Sequence, residues 1–119
     1  MNAFESLRMA LRRPYRSVTA AEAAALLEGG AILVDVREPY EWRAGHAPRA
    51  RHIPLGALPH RMRELPERRM LVTVCHSGMR SARAAALLAR SGHDVVNLRG
   101  GMMAWRRAGL PLVTPSGRR

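Results

Sequence analysis

The chain has one cysteine, Cys75, and the residues behind it suit chemistry better than packing. His76, Ser77, Gly78, Met79, Arg80 and Ser81 follow it: an imidazole, two hydroxyls, a glycine and a guanidinium in quick succession. The run ahead of it, Leu-Val-Thr-Val, reads as a strand buried in a parallel sheet. The Ala/Leu-rich stretch behind it, about residues 80–91, predicts a helix. The thiol therefore sits at a strand-to-helix turn, facing a positive helix end and unpaired backbone N–H groups. Both favour the thiolate, so its pKa is expected below that of a free cysteine. Arg80 adds a positive charge, and Gly78 lets the loop curl until its amides converge on the sulfur. A small hydrophobe closing a core strand is the plainer reading of a lone cysteine. A core residue, however, has no use for such a loop. Cys75 is thus the candidate nucleophile, with His76, Ser77, Gly78, Met79, Arg80 and Ser81 as its substrate-binding loop.

The elements that must position this turn can be traced from the start. Residues 2–13 can form a helix that Pro14 closes, and residues 15–18 a short strand. Thr19 and Glu22 have capping-box spacing and open an Ala/Leu helix over 20–28, ended by Gly29-Gly30. Ile32–Val36 is a second buried strand. A helical turn follows over 38–44, then a brief strand over 51–53 and a helix over 55–65 in spite of Pro59. After the 80–91 helix, Gly92 is placed for a left-handed helix end. A strand over 94–98, a Gly100-Gly101 turn and a helix over 102–108 complete the pattern. Strands alternating with helices argue for an α/β fold with a mainly parallel sheet in one domain. Residues 1–14 read as an N-terminal helical extension and 114–119 as a flexible basic tail.

Charge is carried by 20 Arg and no Lys against 9 acids. Basicity of this kind, beside 19 Ala, is what a GC-rich coding sequence also produces. In functional terms it favours anions: a small anionic donor, nucleic acid or an acidic protein. The arginines are scattered and not interleaved with aromatics, so a solvated basic surface is preferred and no nucleic-acid partner is expected. No apolar run suits a membrane span or a signal peptide, so a cytoplasmic location is expected. One cysteine excludes an internal disulfide, and five histidines without ligand spacing give no metal. Neither a metal nor another cofactor is expected, and small size favours a monomer.

The segment Cys75-His76-Ser77-Gly78-Met79-Arg80-Ser81 resembles the active-site loop of the rhodanese family. Val34-Asp35-Val36-Arg37-Glu38-Pro39-Tyr40-Glu41-Trp42, with Gly45-His46-Ala47-Pro48, is similar to that family's signature after its second strand. Asn97-Leu98-Arg99-Gly100-Gly101-Met102-Met103-Ala104-Trp105, with Gly109-Leu110-Pro111, resembles its closing segment. Together the three cover about residues 15–113. The resemblance implies a rhodanese-like, five-stranded sheet flanked by helices, and a sulfurtransferase. The Cys75 thiolate would take sulfane sulfur from thiosulfate or a persulfide donor and pass it to a thiophilic acceptor. Loop amides from His76 to Ser81 would hold the persulfide.

Two other readings stand beside this one. Cysteine phosphatases and arsenate reductases of related architecture use Cys-x5-Arg; here Cys75 and Arg80 give Cys-x4-Arg, a tighter ring suited to one sulfur atom. A sulfur-relay or binding module serving a protein or tRNA thiolation partner would keep the cysteine but turn over thiosulfate poorly. Asp35 and Arg37, on the same sheet edge as Cys75, are supporting residues, with an Arg37–Glu41 pair the expected arrangement. His46 reads as a hydrogen-bonded structural residue, Trp42 and Trp105 as packing, and His76 as at most an electrostatic helper.

Overall fold

Ile32–Asp35, Leu71–Val74 and Val95–Leu98 are buried along their whole length. A strand covered on both faces belongs inside a parallel sheet flanked by helices, and a computed structural model of the protein places all three there. The structure describes Asn2 and residues 14–114. The strands are β1 (Arg16–Val18), β2 (Ile32–Asp35), β3 (Arg51–His52), β4 (Leu71–Val74) and β5 (Val95–Leu98). The helices are α1 (Ala20–Glu28), α2 (Pro39–Ala44), α3 (Leu58–Arg61), α4 (Met79–Arg90) and α5 (Gly101–Arg107). Sheet order is β1-β5-β4-β2-β3, and every pairing is parallel.

Side chains alternate across the sheet and divide the core in two. On one face Ile32, Val34, Leu71 and Cys75 pack with Leu58 and with Ala84, Ala85 and Leu88 of α4. On the other, Leu33, Val72, Val74, Val96 and Leu98 meet Ala20 and Ala23 of α1 and Met102 and Trp105 of α5. Each fully buried aliphatic contributes roughly 1.5–3 kcal/mol. The central strand β4 is therefore fixed from four sides, and Cys75 continues directly from its carboxyl end.

The Thr19 capping box is present: Glu22 N donates to Thr19 Oγ1 at 3.1 Å and Thr19 N to Glu22 Oε1 at 2.8 Å. Gly92 adopts φ 94° after α4, the left-handed ending expected of it. The helix expected over 55–65 is instead three short pieces: a 3-10 turn (Leu55–Ala57), α3, and a second 3-10 turn (Met62–Glu64). Pro59 sits in the first turn of α3, where its missing N–H costs nothing, and so restarts a helix instead of continuing one. The helix expected over 2–13 falls almost wholly outside the described residues, as does the tail beyond Thr114.

Candidate active site

The loop between β4 and α4 wraps around one sulfur atom. Cys75 is 1 % exposed and lies beneath exposed His76, Ser77 and Met79. Gly78 N donates to Cys75 Sγ at 3.1 Å, and Ser81 Oγ lies 3.3 Å from the same sulfur. Burial pushes the thiol pKa up. The Ser81 hydroxyl and the N–H groups of Ser81, Gly78 and Ser77 outweigh it, leaving the thiol below its ordinary value of 9.0.

The Ser77 amide points inward because the carbonyl ahead of it is held from behind. Met102 N donates to the Cys75 carbonyl at 2.8 Å and Met103 N to the His76 carbonyl at 3.2 Å, so the loop caps the first turn of α5. In a trans peptide N–H and C=O point oppositely, and a carbonyl drawn toward α5 turns the next N–H toward the sulfur. Gly101, at φ 58°, allows this approach: a Cβ there would collide with the carbonyl oxygens of Cys75 and His76. Gly78, at φ 114°, makes the turn into α4.

Two buried polar residues to which the sequence assigned no role hold the first turn of α4. Thr73 and Asn97 are register partners on the Cys75 face of the sheet. Thr73 Oγ1 donates to the Ser81 carbonyl at 2.9 Å and Asn97 Nδ2 to the Gly78 carbonyl at 3.2 Å. Their signal in the sequence was a hydroxyl and an amide at the centre of otherwise apolar strands, which must find partners when buried.

Arg80 does not stand free beside the sulfur. Its Nη1 and Nη2 donate to Glu41 Oε1 at 2.6 Å and Oε2 at 2.9 Å, a two-pronged pair that ties the loop to α2. Hydrogen bonding from Arg80 outweighs partial burial and holds the Glu41 carboxyl down at about 2, and the same pair raises the Arg80 pKa.

Residues 19–108 match the family described as Rhodanese-like domain. The chain belongs to the rhodanese-like family. Among relatives of this rhodanese domain, a sulfurtransferase of Allochromatium vinosum is 47 % identical over 72 % of this chain and 81 % of its own. The thiosulfate sulfurtransferase GlpE of Pseudomonas syringae is 37 % identical over 77 % of this chain and 88 % of its own. Among solved structures, a rhodanese-related protein from Thermoplasma volcanium superposes with a TM-score of 0.79 at 31 % identity, covering 83 % of this chain and 98 % of the other. The chain is thus of the rhodanese-like sulfurtransferase family.

In this rhodanese domain Asp35 and Arg37 form a buried pair of their own, at 2.7 Å, and Arg37 Nη2 also donates to the Gly45 carbonyl at 2.8 Å. The expected Arg37–Glu41 pair is not formed. Helix α2 begins only at Pro39, so Arg37 lies outside it and the spacing of four does not place the two side by side. Trp42 is sandwiched between His46, at a ring-centroid distance of 3.5 Å, and His52, at 4.8 Å. His46 Nδ1 lies 2.8 Å from the Trp42 carbonyl, which fixes its proton on that nitrogen. Trp105 is buried and donates to the Pro111 carbonyl at 2.8 Å. No described group of His, Cys, Asp and Glu could hold a metal ion, and no described helix is long and apolar enough to cross a membrane. A cavity of about 590 Å³ opens at the far ends of the strands, against Ile32, Arg51 and Trp105, and touches none of the Cys75 loop.

Proposed function

We propose that this rhodanese domain is an enzyme that moves sulfane sulfur through a persulfide on Cys75, with thiosulfate or a persulfide as donor and cyanide, a thiol or a protein as acceptor. The convergence of three loop N–H groups and one hydroxyl on a single buried sulfur carries the reading. That ring is sized and polarised for one anionic sulfur. The Cys75 thiolate attacks the outer sulfur of thiosulfate, the S–S bond breaks, and sulfite leaves with the bonding pair. The new persulfide anion extends from Cys75 among the amides of Ser77, Gly78 and Ser81. An acceptor such as cyanide then attacks the terminal sulfur, thiocyanate leaves, and the thiolate is restored. Arg80, paired with Glu41, braces the loop that holds the persulfide. His76 lies exposed at the mouth, and neither step requires a proton. A lone thiol that works as a thiolate and must escape oxidation suits a reducing, cytoplasmic setting.

Intact-mass measurement after thiosulfate treatment tests the reading. The expected result is a gain of one sulfur on the wild type, none on Cys75→Ser, and discharge by cyanide as thiocyanate. No gain with either thiosulfate or cysteine persulfide would refute it.

A further inference from the structure

Three large apolar side chains are exposed among the described residues: Tyr40 at 68 %, Met79 at 79 % and Met103 at 45 %. All three lie on the elements that border the Cys75 loop. Tyr40 precedes Glu41, the partner of Arg80. Met79 is the first residue of α4, and the Met103 amide is bonded to the His76 carbonyl. Large apolar side chains exposed on one rim, and nowhere else among the described residues, mark a contact surface.

A second pattern accompanies the first. One helical turn beyond each apolar residue stands an exposed arginine: Arg43 after Tyr40, Arg83 after Met79 and Arg107 after Met103. Spacings of three and four put each pair on one helix face. None of these arginines has an ion pair or hydrogen-bond partner among the described residues. Helices α4 and α5 contain no acid, and the single carboxylate within α2, Glu41, is taken by Arg80. Glu38, at the start of α2, is the one exposed acid on this rim. The nucleophile thus lies inside an inner apolar ring and an outer ring of unneutralised cations.

We propose that this mouth docks an acidic protein that presents a cysteine persulfide from an apolar patch. The proposal rests on the persulfide reading above and names its donor. The Cys75 thiolate attacks the outer sulfur of the partner's persulfide, the S–S bond breaks, and the partner's cysteine leaves as a thiolate. No outside oxidant or reductant is needed. Thiosulfate would reach the same sulfur without using either ring. A nucleic acid would match the arginines, but it has no use for two methionines where stacking aromatics would be wanted.

The test follows one-sulfur loading of Cys75 in the full chain by mass spectrometry. The donors are cysteine persulfide and three short synthetic peptides bearing a persulfide. The first peptide flanks its cysteine with leucine and glutamate, the second replaces glutamate with lysine, and the third replaces leucine with serine. The first should load about tenfold faster than the second at low salt, with the gap closing as salt rises, and several-fold faster than the third. Arg43→Gln/Arg83→Gln/Arg107→Gln should abolish the glutamate preference, and Tyr40→Ser/Met103→Ser the leucine preference. Both variants should load from cysteine persulfide within about twofold of wild type, because it spans neither ring. Equal rates for the three peptides, or preferences unmoved by the variants, would overturn the docking surface while leaving the chemistry intact. No loading from cysteine persulfide or thiosulfate would overturn the chemistry and the docking with it.

Discussion

Ser81→Ala is the sharpest probe of why Cys75 is reactive. The hydroxyl lies 3.3 Å from Sγ and 3.2 Å from the Gly78 carbonyl, so one proton is shared between two acceptors. A hydrogen bond to a charged group is worth about 1.5–3 kcal/mol, and the length of this contact and its competing acceptor place it near the lower end. The substitution should therefore cost the thiolate about 1.5 kcal/mol and raise the thiol pKa. Little else is lost, since the Gly78 carbonyl keeps the Ala82 and Asn97 donors and alanine leaves no cavity of consequence. Iodoacetamide alkylation against pH reads the pKa directly: below both values the variant should react about tenfold more slowly. Stability gives an independent check. The folded thiol pKa lies below the unfolded value, so its contribution is fully present above about pH 9 and is lost as pH falls through the folded pKa. Wild type should gain stability across that window, and the variant about 1.5 kcal/mol less. A wild-type pKa at or above that of free cysteine, or a folded Ser81→Ala with an unmoved pKa, would refute the reasoning.

Other substitutions test the frame around the sulfur. Gly101→Ala should destabilise the protein by at least about 2 kcal/mol in urea, because the new Cβ meets the carbonyls of Cys75 and His76 at a left-handed position; its thiol pKa should rise as the loop is displaced. Asp35→Asn leaves Arg37 buried without its counter-charge and should cost about 3–5 kcal/mol by the same measurement. Glu41 has a folded pKa of about 2 against an ordinary 4.5, so its pairing energy is fully present above about pH 4.5 and is lost as pH falls toward 2. Glu41→Gln should remove that acid-dependent loss, on the order of 1 kcal/mol after screening at its partly exposed partner, when unfolding is compared at pH 3 and pH 6.

What the sequence disclosed about this protein follows the range of each interaction. Strands β2, β4 and β5 and helix α4 were readable because burial on two faces, or on one helical stripe, leaves a period in the chain. The Cys75 loop was readable because its residues contradict that period. The Thr19 cap was readable because its partner is three positions away. The pairing of Arg80 with Glu41 was not, because β4 and β2 must first be laid side by side before the two helix starts face each other. Arg37 was assigned the wrong carboxylate for a related reason: a spacing of four means a contact only inside a helix, and Pro39 starts α2 too late. Pro59 marked a new helix start where continuity was expected. Thr73 and Asn97 looked like ordinary strand residues until register set them beside the carbonyls they hold.

The two hydrogen bonds from α5 to the back of the loop give the nucleophile a dependence on timing. Until Met102 and Met103 have docked, the His76 carbonyl is unheld and the Ser77 amide that follows it is not yet turned toward the sulfur. The full set of donors on Cys75 is therefore complete only once α5, synthesised well after the loop itself, has packed against it.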